Sequence, residues 1–142
     1  LPQGLVQPSN AILYAGEPVY AEYEVKTVAD MYPGRLVETD TTEYQIKVGT
    51  DNSLVILGVL DVEPNELRST IYGAGDQARV IRGDVVVLLQ KISGATITVG
   101  LRVQCAGAGR IDQYATALAD IGYALQAADG DDHENILVKL TI

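Results

Sequence analysis

Between Val19 and Ile142 the sequence alternates apolar with polar residues in short runs, and a glycine closes most of them. Period two marks a half-buried strand, because successive side chains on an extended backbone point to opposite faces. Ala21, Tyr23, Val25 and Thr27 alternate with Glu22, Glu24 and Lys26; Tyr44, Ile46 and Val48 alternate with Glu43, Gln45 and Lys47. Pro33-Gly34 spells a tight turn, after which Arg35–Glu38 starts a short strand. Leu54–Val62 is nearly continuous apolar sequence around Gly58. It predicts a strand buried on both sides, or one bent where another backbone comes close. After the irregular stretch 63–76, Ala78–Arg82, Asp84–Ile92, Ala95–Val99, Leu101–Cys105 and Gly109–Gln113 are separated by Gly83, Ser93-Gly94, Gly100 and Gly107. Residues 113–128 fit a helix through Tyr114, Leu118, Ile121 and Leu125, but Gly122 favours a strand from Asp120 to Ala127. Asn135–Ile142 alternates cleanly to the end. Short strands with glycine corners predict an all-β domain, a small β-barrel or β-tulip-like fold with at most one short helix.

At 142 residues the chain is one domain, or one domain with an arm. Its 47% hydrophobic and 20% charged residues are ordinary for a globular chain, and no apolar run approaches the ~20 residues of a membrane helix. Ten Lys and Arg against nineteen Asp and Glu leave a net charge of -9, which argues against a broad nucleic-acid-binding face. The single cysteine, Cys105, forms no internal disulfide and no thiolate cage, and its alternating setting reads as a small buried residue. Trp and Phe are absent while eight Tyr are present, a balance suited to half-buried strands and to subunit interfaces.

Motifs that carry chemistry give way to plainer readings. Gly73-Ala-Gly-Asp-Gln-Ala78 matches a loose dinucleotide fingerprint, but the alternating Ala78–Arg82 that follows cannot begin the helix this motif needs. Asp129-Gly-Asp-Asp-His-Glu134 offers oxygen ligands without the spacing of a calcium loop, and reads as a solvated hairpin turn. Arg82-Gly-Asp84 reads as a turn between two strands. Ser9, Ser53, Ser69 and Ser93 lack a nucleophile elbow, and nothing local pairs Cys105 with His133, the only histidine. Lys91 lacks the flanking residues of a lipoyl-carrier tip. No catalytic residue, cofactor site or metal site is expected.

Residues 1–16 carry no charge and include Pro2 and Pro8. The chain begins at Leu1 rather than Met, which reads as a processed or trimmed start, and this stretch lacks the basic region and apolar core of a secretory signal. It reads either as an extended arm reaching up to about 50 Å, or as an edge strand or terminus wrapped on its own domain. The remaining residues, 17–142, form the β-rich domain.

One progression is familiar. Arg79-Val-Ile-Arg-Gly-Asp-Val-Val-Val is followed by Ser93-Gly-Ala-Thr-Ile-Thr-Val-Gly-Leu-Arg-Val, then Gly107-Ala-Gly, Ile121-Gly-Tyr-Ala-Leu and Ile136-Leu-Val-Lys-Leu. Over about residues 55–142 this resembles the capsid decoration, or cement, proteins of tailed viruses, with Leu101 standing where an acid commonly follows the second glycine. The resemblance implies a non-enzymatic virion protein, often a homotrimer, on the exterior of an HK97-type capsid, made in the host cytoplasm. Its partner would be the major capsid protein, whose neighbouring subunits it clamps, with no nucleic acid or membrane involved. The implied capsid contacts on the arm are Leu5, Val6, Ile12, Leu13 and Tyr14. The alternative is another viral structural or binding module, such as a fibre or baseplate component or a carbohydrate-binding barrel.

Overall fold

The computed structural model describes residues 12–51, 53–63, 66–115, 121–130 and 132–142. Nine strands account for its regular structure: β1 (Leu13–Val25), β2 (Leu36–Thr39), β3 (Gln45–Val48), β4 (Ile56–Leu60), β5 (Gln77–Gln90), β6 (Arg102–Cys105), β7 (Ile111–Gln113), β8 (Gly122–Ala124) and β9 (Asn135–Leu140). Among the described residues the single helical element is a 3-10 turn, Gly107–Gly109. No helix there is long and apolar enough to cross a membrane.

The strands run in the order β1-β3-β2-β4-β5-β9-β8-β6-β7, and β1 also pairs with β5. That extra pairing closes β1, β3, β2, β4 and β5 into a ring; the other four strands extend the sheet from the far end of β5. A bridge from Lys91 to Ile111 brings β7 back beside the end of β5. The expected all-β class is therefore found, as a ring of strands rather than a regular barrel.

Two cores lie on opposite faces of this sheet. Val25, Val37, Ile46, Leu60, Ala78 and Val80 pack together, with Met31 and Tyr72 in the same cluster. Leu36, Val59, Ile81, Val85, Val87 and Leu89 turn the other way, toward Val103, Ile111, Ile121, Ile136 and Val138. Adjacent residues of β2, β4 and β5 thus serve different cores, which explains the continuous apolar sequence of β4. The readings of the Leu54–Val62 run hold for β4 alone, which is covered on both faces and brings Gly58 against the backbone of Ile81; Leu54 and Val55, expected in the same buried strand, precede it and are exposed.

Three expectations are corrected. Ala78–Arg82 and Asp84–Ile92 are one strand: Gly83, at φ 101°, bends β5 without ending it and pairs with Pro18. Arg82-Gly83-Asp84 is therefore strand interior, not a turn, with Asp84 paired to Lys139. Ala95–Val99 forms no strand beyond the single bridge Ile97–Ala128. In the ambiguous 113–128 region, β8 is a strand as expected, while residues 116–120 lie outside the described residues.

Candidate functional site

The thiol and the imidazole lie in unlike surroundings, Cys105 buried and His133 exposed. Cys105 is buried, with Sγ 3.3 Å from the Ala106 carbonyl. Burial, aided by the negative charge of Glu38 and Asp51, pushes its thiol up to about 12. His133 is exposed on the 129–134 loop, where partial desolvation and the positive charge of Arg110, Arg35 and Lys91 lower its pKa. Gly73–Asp76 is a closed turn, with the Gly73 amide donating to Asp76 Oδ2 at 2.8 Å, and it opens directly into β5. No helix starts there, so the fingerprint's phosphate cradle is missing.

The acidic loop is organised around a lysine. Lys91 is fully buried, and its ammonium donates to the carbonyls of Gly130 (2.6 Å), Asp132 (2.9 Å) and Ile92 (3.1 Å). Its backbone amide also donates to the Glu134 carbonyl at 2.9 Å. A protein cation thus sits where main-chain oxygens of the loop converge. Among the described residues, no group of three or more metal-ligating side chains occurs.

The five residues expected on the arm are distributed differently. Leu5 and Val6 lie outside the described residues. Ile12 is buried in the larger core, and its carbonyl accepts from the Leu88 amide at 2.9 Å. Leu13 is half-buried against the same core and pairs with Val87. Tyr14 is 70% exposed. The boundary expected at 16/17 therefore falls inside β1, whose pairing with β5 runs from Leu13 to Glu24. Tyr14, Val19 and Tyr20 leave apolar surface exposed along this strand. Arg79 stacks over the Tyr20 ring at 4.4 Å. A second exposed group, Val99, Leu101, Tyr123 and Leu125, is gathered by hydrogen bonds from the Gly100 amide to the Ala124 carbonyl and from the Ala124 amide to the Leu101 carbonyl.

A basic cluster was not anticipated from the sequence. The Pro33-Gly34 turn delivers Arg35 to the start of β2, where the Arg35 amide donates to the Tyr32 carbonyl and Nη1 to the Ala108 carbonyl at 2.8 Å. Tyr32 flanks the Arg35 guanidinium at 5.2 Å. Arg68, from the β4–β5 connection, donates through Nη2 to the Leu88 carbonyl at 2.9 Å. Arg110 donates through Nε to Gln90 Oε1 at 2.7 Å. Arg35 and Arg68 are buried, and desolvation together with like charge lowers each to about 10, so both remain protonated at neutral pH. Tyr32, Pro33, Arg35, Arg68, Ser69 and Gln90 line a cavity of about 160 Å³.

A family model described as phage cement protein matches residues 22–140. The chain belongs to the phage cement protein family. It is accordingly a structural protein of the virion, and its family implies binding to capsid proteins. The family match starts within β1, so the preceding residues come without that assignment. The fold of this cement protein is also similar to the crystal structure described as head fiber gp8.5 N base in bacteriophage phi29, with a TM-score of 0.56 at 17% identity, covering 89% of this chain and 100% of that one. No curated protein sequence matches the chain.

Proposed function

We propose that this cement protein binds the outside of an icosahedral capsid and reinforces it by clamping neighbouring major capsid subunits, without catalysing a reaction. The family match over residues 22–140 carries the reading. The N-terminal segment is the gripping element. Ile12, locked into the core, anchors it to the domain, and the uncharged residues before it, including Leu5 and Val6, pair with capsid main chain. In such β-augmentation, main-chain hydrogen bonds supply affinity and alternate side chains choose the partner. Tyr14 extends the contact from the exposed start of β1. Ile12 and Leu13 hold the root of the arm instead of meeting the capsid.

The domain acts as a homotrimer, with Val99, Leu101, Tyr123 and Leu125 as a contact between copies. Three linked arms raise the effective concentration of each for its capsid site. Protein made in the host cytoplasm would add to assembled heads from outside, where a net charge of -9 avoids competition from nucleic acid.

Deleting residues 1–11 tests the arm. The truncated chain is expected to keep its thermal midpoint, because Ile12 and the β1–β5 ladder remain, and to stop co-sedimenting with undecorated heads. Decoration at full-length affinity would refute it. Native mass measurement tests the trimer, and a monomer at micromolar concentration would remove it. The likeness to a head-fibre base supports a second reading, in which this domain is the capsid-proximal base of a longer projection. Particle images showing density continuing outward from the domain would favour that reading.

A further inference from the structure

The arginine-lined cavity is unusual in so acidic a protein. Arg35 comes from the start of β2, Arg68 from the β4–β5 connection and Arg110 from the segment after the 3-10 turn, so three separate parts of the chain bring positive charge together. Burying a guanidinium is costly unless an opposite charge accompanies it. Yet among the described residues no carboxylate forms an ion pair with Arg35, which is 7% exposed and is held instead by the Ala108 carbonyl and the Tyr32 ring. Asp30 contributes only a longer-range favourable charge. The Gln90 side-chain oxygen is already engaged by Arg110.

We propose that the cavity lined by Arg35, Arg68 and Ser69 is a binding site for one carboxylate group. A planar guanidinium matches a carboxylate in geometry, and a charge-assisted hydrogen bond in a partly desolvated site is about twice as strong as a neutral one. The cavity's 160 Å³ corresponds to roughly five water molecules' share of liquid, enough for a carboxylate on a short stem and too little for a nucleotide. The surrounding charge of -9 repels a dianion more than a monoanion, which favours carboxylate over phosphate. The ligand is either a free small carboxylate or an acidic side chain of a docked polypeptide. The site rests on its own residues and does not require the capsid reading.

The test is titration of the full chain with sodium acetate against sodium chloride at matched ionic strength, reading the arginine Nε–Hε resonances by NMR. A capped tripeptide, acetyl-Ala-Glu-Ala-amide, serves as the polypeptide-borne probe. Saturable shifts confined to Arg35 and Arg68 are expected, with a Kd of order millimolar. Tighter binding of the peptide assigns the site to an acidic side chain, and tighter binding of acetate to a free ligand. No saturable response to either probe overturns the proposal. Arg35→Gln should abolish the response. Should that variant fold poorly, Ser69→Glu gives an independent check, since Ser69 is exposed at the cavity wall. Its tethered carboxylate should raise the thermal midpoint and weaken acetate binding at least tenfold; unchanged acetate affinity would also overturn the proposal.

Discussion

Replacing Lys91 with Met isolates what its buried ammonium does for the fold. Met keeps most of the aliphatic stem, so packing changes little. The variant loses three hydrogen bonds, to the Gly130, Asp132 and Ile92 carbonyls, at 2.6, 2.9 and 3.1 Å. A hydrogen bond to a charged group contributes about 1.5–3 kcal/mol, so the gross loss is roughly 4–9 kcal/mol. Two effects offset it. The ammonium no longer has to be desolvated, a relief of several kcal/mol. The loop carbonyls also regain water, because Asp132 is exposed. A net destabilisation of about 3 kcal/mol follows, which for a chain of this size lowers the thermal midpoint by roughly 6–12 °C. Urea unfolding at pH 7 measures the loss, and amide exchange locates it: protection should fall first at Lys91, whose amide donates to the Glu134 carbonyl, and at Ile92, whose amide donates to the Ile111 carbonyl. Wild-type stability with unchanged exchange at both amides would refute the idea that this lysine ties the 129–134 loop to β5.

The other predictions concern packing, the thiol and pH. Gly122→Ala should cost about 3 kcal/mol in urea, because the new Cβ would collide with the backbone carbonyl of Lys139 across the β8–β9 ladder; an unchanged midpoint would contradict that close approach. Native Cys105 should react with a disulfide reagent roughly a thousandfold more slowly than the unfolded thiol, since its pKa is raised from 9.0 to about 12 and few thiolates form. Rapid native labelling would show the strand open. His133 has a folded pKa below the ordinary 6.5, so the unfolded chain takes up its proton first as pH falls. Its contribution therefore lowers stability on going from pH 7.5 down through the folded pKa. His133→Gln should narrow the difference in thermal midpoint between pH 7.5 and 5.5; an unchanged difference would show that the positive neighbours do not reach it.

Much of the fold was legible because strand alternation is a local property. Tyr23 and Val25 or Ile46 and Val48 announce their faces without knowledge of any partner, and the doubly apolar Ile56–Leu60 announces that both its faces are covered, although the same apolar run also includes the exposed Leu54 and Val55. Ring closure was not legible. It depends on β1 finding β5 across more than fifty intervening residues, and on Gly83 bending a strand that its sequence suggests should end. The attachment of Ile12 and Leu13 was not legible for the same reason: an uncharged, proline-containing stretch reads equally as free chain or as an edge strand until Val87 and Leu88 supply the partners of Leu13 and Ile12.

The unforeseen side chains differ in what could have revealed them. Lys91 carried a signal: Val85, Val87 and Leu89 share one face of β5, and the same period carries Lys91 inward, where a buried ammonium must find several oxygens. A charged residue in phase with a core stripe is therefore a prediction of a bonding network, and the adjoining acid-rich loop was the place to seek it. Arg35, Arg68 and Arg110 carried no such signal. Each sits beside a turn where arginine is ordinarily solvated, and only the meeting of β2, the β4–β5 connection and the 3-10 turn puts two of them under cover. The overall charge of -9 even pointed away from them. Net charge governs long-range encounter, whereas a buried site answers to the few charges that share its low-dielectric surroundings. An acidic exterior that rejects polyanions and an inward cluster that accepts one carboxylate are thus compatible, and the exterior makes the cluster more selective for a single negative group.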